Sequence, residues 1–249
     1  MAIQLNEKVF FAELTAVFKK NGLSSLLSKE KAEKLFQLTE RLLTENEKYN
    51  LTAITEPKKV ILHHYADCAT LSPYLPKGAK ICDVGCGAGF PTLPLAILRE
   101  DLKILAMDAT EKRVNYVKES ASMLSLSGVS TLCARAEDAG KDPSLRESFD
   151  FVTARAVAQM RILAELCLPL LKISGKMIAM KGKNARYELA DAKKALSILG
   201  AKENAVIDVM LKNDEEEASH PLILLDKVSK TPAAYPDRKS TRLNSSHAT

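Results

Sequence analysis

The sequence predicts an α/β fold: a mostly parallel, seven-stranded sheet wrapped by helices on both faces and preceded by a helical N-terminal extension. Three observations carry this. Short apolar runs alternate with helical patterns from residue 79 onward; a glycine-rich turn, DVGCGAGFP at 83–91, follows the first of those runs; and the first fifty residues place apolar side chains at helical spacing. With 249 residues, 46% hydrophobic and 27% charged with both signs interspersed, the chain can bury a substantial core without staples.

At the start, Phe10, Leu14, Val17 and Phe18 recur at helical spacing, and Leu35, Leu38 and Leu42 do so after a break at NGLSS. NLTAITEP (50–57) interrupts that pattern with β-branched residues, and Thr55 to Pro57 reads as a helix start, with Ile61, Tyr65 and Cys68 on one face of the ensuing helix. LPKG (75–78) ends that element. The strands are then AKICDV (79–84), KILAMD (103–108), VSTLCA (129–134), FDFVTA (149–154) and KMIAMK (176–181), with helices near 91–99, 111–125, 157–172 and 185–199. AVIDVML (205–211) and HPLILLDKV (220–228), joined by KNDEEEAS, predict a closing antiparallel hairpin. The expected division is a helical region over 1–55, the α/β domain over 56–230, and a mobile tail over 231–249, where TPAAYPDRKSTRLNSSHAT is polar and aperiodic.

Composition narrows the function classes. The five cysteines (Cys68, Cys82, Cys86, Cys133, Cys167) form no CxxC pair, which argues against a zinc site or a disulfide framework. MAIQLNEKVFFAEL lacks the apolar core of a signal peptide, and no apolar run approaches membrane-spanning length, so a cytoplasmic protein with reduced thiols is expected. The net charge is +5, and between Lys172 and Lys194 seven Lys or Arg stand against Glu188 and Asp191. That run is either a positive face for a polyanion or a solvated helix surface.

A glycine turn between a strand and a helix places a ligand at the carboxyl end of a parallel sheet, where the backbone can approach closely. The dinucleotide fingerprint GxGxxG is not met: Gly85, Gly87 and Gly89 are spaced GxGxG, and Phe90 stands where the third dinucleotide glycine belongs. No GK[ST] follows, which excludes a P-loop. The D-x-G-x-G-x-G run from Asp83 to Gly89 resembles the first motif of class I S-adenosylmethionine methyltransferases, with a purely structural bend as the alternative. KILAMD ends in Asp108, placed to accept from ribose hydroxyls or to cap the next helix. After the third strand, Ala136 and Glu137 (or Asp138) are candidates to read an adenine edge. Their arrival at successive strand ends favours a nucleoside site.

KYNLTAIT (48–55), DVGCGAGFP (83–91), the DAT and KR of DATEKR (108–113), RAED (135–138), TARAV (153–157), AMKGK (179–183) and TPAAYP (231–236), in this order, resemble the bacterial small-subunit rRNA methyltransferase G family, also called glucose-inhibited division protein B. The resemblance runs from about Asn46 to Tyr235. It implies a Rossmann-like class I fold and transfer of a methyl group from S-adenosyl-L-methionine to N7 of a guanine in a loop of 16S rRNA, guanine 527 in the family's usual rRNA numbering. It also implies a monomer that acts on naked RNA or on the small ribosomal subunit. Carried over by position, the cofactor contacts fall on Gly85, Phe90, Asp108, Ala109, Thr110, Ala136, Glu137 and Arg155. Cys86 stands where the family commonly has threonine, and Pro91-Thr92 where it has Pro-Gly. From about Asp237 the chain departs from the family, which suggests a non-native ending.

Guanine N7 carries an unprotonated lone pair at neutral pH, so no general base is required, and catalysis rests on alignment. Arg155, at the fourth strand end, is the candidate for positioning, with a salt bridge to a neighbouring acid as the alternative; Lys181 and Lys183 are candidates for phosphate contact. His63, His64 and His220 are expected to pack or face solvent. The competing readings are a methyltransferase of another substrate, a cofactor- and RNA-binding module without catalysis, and an oxidoreductase, the last disfavoured by Phe90.

Overall fold

A computed structural model describes residues 5–237. The chain opens with α1 (Glu7–Lys20) and α2 (Lys29–Tyr49), capped by the side chains of Asn6 and Ser28, which accept from the Val9 and Lys31 N–H groups. Phe10, Leu14, Val17 and Phe18 are buried on α1, and Leu35, Leu38 and Leu42 on α2, as their spacing predicts. Both helices share one apolar core with the helix that follows the glycine turn (92–98) and the sheet face beneath it, so the N-terminal region has no separate core of its own. Lys31 Nζ donates to Leu98 O at 2.7 Å, and Arg41 pairs with Glu119.

Next comes a helical stretch made of α3 (Pro57–Val60), a π-helical turn (Ile61–Ala66) and α4 (Asp67–Ala69). Ile61, Tyr65 and Cys68 are buried, as expected. The alternating region then gives β1 (Lys80–Val84), α5 (Thr92–Leu98), β2 (Lys103–Asp108), α6 (Glu111–Met123), β3 (Val129–Cys133), α7 (Ala136–Ala139), β4 (Phe149–Arg155), α8 (Met160–Cys167), β5 (Leu171–Met180) and α9 (Ala185–Ile198). β6 (Ala201–Lys212) and β7 (Glu217–Lys227) close the chain. The sheet order is β3-β2-β1-β4-β5-β7-β6, parallel from β3 through β5, with β7 antiparallel to both neighbours. Alternate residues of one strand serve opposite faces: Ile81 packs under α2 and α5, whereas Cys82 and Val84 pack with α8 and α9.

Several expectations need correction. The helix expected over 157–172 is only Met160–Cys167, because a 3-10 turn with Pro169 at its centre ends it and β5 begins at Leu171, earlier than expected. KNDEEEAS is half strand; the connection is four residues long, tightened by Asn213 Oδ1 accepting from the Glu215 and Glu216 N–H groups at 2.8 Å. The short α7 was not foreseen.

The start of the tail is docked rather than loose. Arg146 collects the carbonyls of Thr231 and Tyr235, Asp237 N–H donates to Glu165 Oε1 at 2.7 Å, and Pro236 packs against Gly140. Residues 238–249, which carry most of the proposed non-native ending, lie outside the described residues. Finally, four of the seven cations of the basic run are paired with acids. Lys172 pairs with Asp150, Lys176 with Asp226, Lys181 with Glu188 and Arg186 with Asp208, and these pairs are spread along β5 and α9.

Candidate functional site

The strand order reverses direction between β1 and β4, and a crevice opens at the carboxyl ends of the strands there, the usual ligand position in an open parallel sheet. Asp83, one residue from the end of β1, anchors the turn after that strand. It is fully buried and accepts from Thr92 Oγ1 at 2.6 Å and from Thr153 Oγ1 at 3.1 Å, tying β1 to α5 and β4. Burial pushes its carboxyl up to about 6 despite those two donors. Thr92, the departure from the family pattern, therefore has a defined partner.

The glycines serve packing as much as ligand approach. Gly85 and Gly89 have φ of +72° and +83°, and a Cβ would meet Val157 Cγ2 at 2.7 Å and Leu93 Cδ1 at 2.5 Å, respectively. At Gly87 a Cβ would meet only the Gly85 carbonyl, at 3.9 Å. The Gly87 N–H donates to Asp108 Oδ2 at 3.1 Å, while Asp108 Oδ1 accepts from Thr110 N–H at 2.8 Å. Asp108 thus closes a tight turn just before the N-cap Thr110 of α6, without capping the helix, and clamps the glycine turn to the end of β2.

A cleft of about 380 Å³ lies over these strand ends. Gly85, Asp108, Ala109, Thr110, Ala136 and Glu137 all line it, so the sequence-predicted residues of the first three strand ends converge. Phe90 and Arg155 are not among its lining residues. The Phe90 ring is stacked on buried His64 of the π-helical turn, centroids 4.1 Å apart, and His64 is driven down to about 3 by its burial and by the Arg155 charge. Arg155 lines a second cleft of about 210 Å³, and Ala156, which stands at φ +54°, lines both.

The Arg155 guanidinium is held on several sides. It pairs with Asp67 Oδ2 at 3.3 Å and donates to His63 O at 2.9 Å, with His64 Nδ1 3.0 Å away. The salt-bridge alternative for Arg155 is therefore realised. Asp67, almost fully buried, uses its other oxygen for His220 Nδ1 at 3.1 Å. Lys181 is likewise committed, to Glu188 Oε2 at 2.6 Å and Ala158 O at 2.8 Å, and only Lys183 of the two candidate phosphate contacts is exposed.

Sequence reasoning did not single out Arg113 and Arg135 at the first cleft, or Asp67, Glu188 and His220 at the second. An acid in the middle of the apolar run HHYADCA was a usable signal for Asp67; Glu188 sits in an ordinary charged helix pattern and gave none. The first cleft suits an adenosine-type ligand. The buried Asp108 carboxylate at the β2 end could accept from ribose hydroxyls, Glu137 at the short α7 could accept from an exocyclic amine, and Met107, Val157 and Leu166 offer an apolar wall.

The fold recurs in the TYW2 protein of M. jannaschii in complex with AdoMet (TM-score 0.51, 16% identity, 66% of this chain and 77% of that one). It recurs also in the ribosomal protein L11 methylase of Lactobacillus delbrueckii subsp. bulgaricus (TM-score 0.50, 17% identity, 66% and 77%). At such identities the likeness shows the architecture alone. Sequence relatives are much nearer. The ribosomal RNA small subunit methyltransferase G of Clostridium perfringens (strain SM101) is 42% identical over 204 residues, 81% of this chain and 84% of that protein. Its counterpart in Desulfitobacterium hafniense (strain Y51) is 42% identical over 230 residues, 92% and 95% of the two chains. A family profile, GidB, described as rRNA small subunit methyltransferase G, matches residues 31–217, three-quarters of the chain and all the strand ends described above. The chain belongs to the rRNA small subunit methyltransferase G family.

Proposed function

We propose that this protein methylates 16S rRNA at N7 of a single loop guanine, guanine 527 in the family's usual numbering, with S-adenosylmethionine as donor. The observation that carries the reading is the convergence of Gly85, Asp108 to Thr110, and Ala136 with Glu137 on one cleft beside a second, polar cleft, in a chain of this family. S-adenosylmethionine supplies, when bound, an electrophilic methyl group on a sulfonium centre.

Asp108 would hold the ribose, Glu137 and the Ala136 N–H the adenine edge, and Gly85 the backbone wall. Phe90 and Arg155 act from behind this set. Through His64, the His63 carbonyl and Asp67 they fix the π-helical turn and the start of α4 against the β1 and β4 ends, so their part is positioning. Guanine N7 brings its own lone pair, and the groups beside the second cleft are tied to one another: Asp67 to Arg155 and His220, Glu188 to Lys181. Such a site aligns and desolvates a nucleophile that needs no base. N7 lies on the major-groove edge, which is deep and narrow in A-form RNA, so the target must be a splayed base in a loop.

Primer-extension mapping after N7-specific strand cleavage tests this directly, in cells lacking the protein and in cells complemented with it. The expected result is one guanine of 16S rRNA that is resistant in the first and cleaved in the second. Identical patterns in both would refute the proposal.

A further inference from the structure

The second cleft contains a carboxylate that none of the roles above uses. Glu188, near the start of α9, spends one oxygen twice: Oε2 accepts from Lys181 Nζ at 2.6 Å and from Met160 N–H at 2.9 Å. Lys181 is itself pinned by Ala158 O at 2.8 Å, so the carboxylate is locked from the β5 end and from the start of α8. Oε1 has no hydrogen-bond partner among the described residues, and the Glu188 side chain is one-fifth exposed and lines the cleft. A carboxylate fixed through one oxygen and open at the other is built to accept from a ligand's N–H groups.

The placement of the two clefts bears on which ligand edge it would meet. Ala156 lines both clefts, whereas Glu188 and Lys181 line only the second. A purine whose N7 points toward the first cleft turns its opposite edge toward the residues that line the second cleft alone. For guanine that opposite edge presents N1–H and the 2-amino group, two donors. Adenine presents N1 there as an acceptor, with no 2-amino donor, although its N7 is an equally available lone pair. Chemistry at N7 therefore does not distinguish the two purines, and an acceptor on the far edge does.

Resting on the guanine-N7 reading above, we propose that Glu188 is the base-specificity residue: held by Lys181, it accepts hydrogen bonds from the N1–H and 2-amino group of the target guanine. Loss of a hydrogen bond to a charged group reduces recognition about tenfold or more.

The test uses small subunits reconstituted with 16S rRNA carrying guanine or inosine at the target position. Inosine lacks the 2-amino group and keeps N1–H, O6 and N7. Wild-type protein is expected to lose about tenfold or more in kcat/KM on inosine, chiefly in KM. Glu188→Gln is expected to lose a similar factor on guanine, to bind S-adenosylmethionine as the wild type does, and to show a guanine-to-inosine ratio of about threefold or less. Equal rates on guanine and inosine with wild-type protein would overturn the proposal whatever the variant does, so a variant that fails to fold does not shield it. An undiminished inosine penalty in a folded Glu188→Gln protein would overturn it as well. Absence of any methylation of the guanine substrate by wild-type protein would instead refute the function on which it rests.

Discussion

Asp83→Asn probes how the glycine turn is anchored. In the folded protein, burial raises the Asp83 carboxyl from 3.8 to about 6. The folded state then keeps a proton between about pH 4 and 6 that the unfolded chain has already released. The stability linked to this group is therefore full below the unfolded value and is lost as pH rises through about 6. A difference of ~2 pKa units corresponds to about 3 kcal/mol. Asn has the same shape, offers an acceptor to Thr92 or Thr153, and does not titrate.

Urea denaturation of both proteins at a series of pH values from 4 to 7.5 reads the effect, because every other titrating group is common to the two and cancels. His64 is one such group; it titrates with the opposite sign, its stability contribution falling as pH drops below about 6.5. The stability difference between Asp83→Asn and wild type should move by about 3 kcal/mol in favour of the variant across that range. A difference that stays flat would mean that Asp83 ionises normally in the fold, and the account of a desolvated, buried anchor beneath the glycine turn would be wrong.

Other substitutions test other joints. Gly85→Ala should cost more than the ~1–2 kcal/mol of a left-handed alanine, because its Cβ would strike Val157; adding Val157→Ala should recover the excess in urea titrations, and no recovery would dismiss the clash. Arg155→Ala leaves the buried Asp67 with His220 alone and should destabilise the fold by about 3 kcal/mol, with partial rescue by Asp67→Asn; equal stability of Arg155→Ala and wild type would show the pair to be idle. Asp108→Ala should weaken S-adenosylmethionine binding about tenfold or more in calorimetry, since the ribose acceptor and the clamp on Gly87 go together; unchanged affinity would remove Asp108 from the site. Affinity for RNA should fall as salt is raised, and a flat response would remove the phosphate contacts from the reading.

The parts of the fold legible in the sequence are those set by local periodicity. The apolar spacing of α1 and α2 and all seven strands were readable from local apolar patterning, including the edge strands β3, none of whose residues is fully buried, and β6. The insertion of β7 between β5 and β6 was not readable, since pairing order is decided by side chains far apart in the chain. At the site, glycine spacing and the acids at strand ends located the first cleft, because the connections leave toward opposite faces where the sheet reverses its winding and open a crevice over the carboxyl ends of the strands. Arg155 read either as a positioning group or as half of a salt bridge, and Lys181 as a phosphate contact; the fold pairs the first with Asp67, 88 positions away, and the second with Glu188, 7 positions on. The same holds for the start of the tail: its composition is that of a mobile segment, yet Arg146 and Glu165 hold its backbone.

The central claim is transfer of a methyl group to guanine N7 of 16S rRNA. Its most direct measurement incubates purified protein with methyl-labelled S-adenosylmethionine and small subunits from cells lacking the enzyme, then identifies the labelled nucleoside. The account predicts label in 16S rRNA, recovered as 7-methylguanosine at one loop position. Label absent from 16S rRNA, or recovered on any atom other than guanine N7, would contradict it.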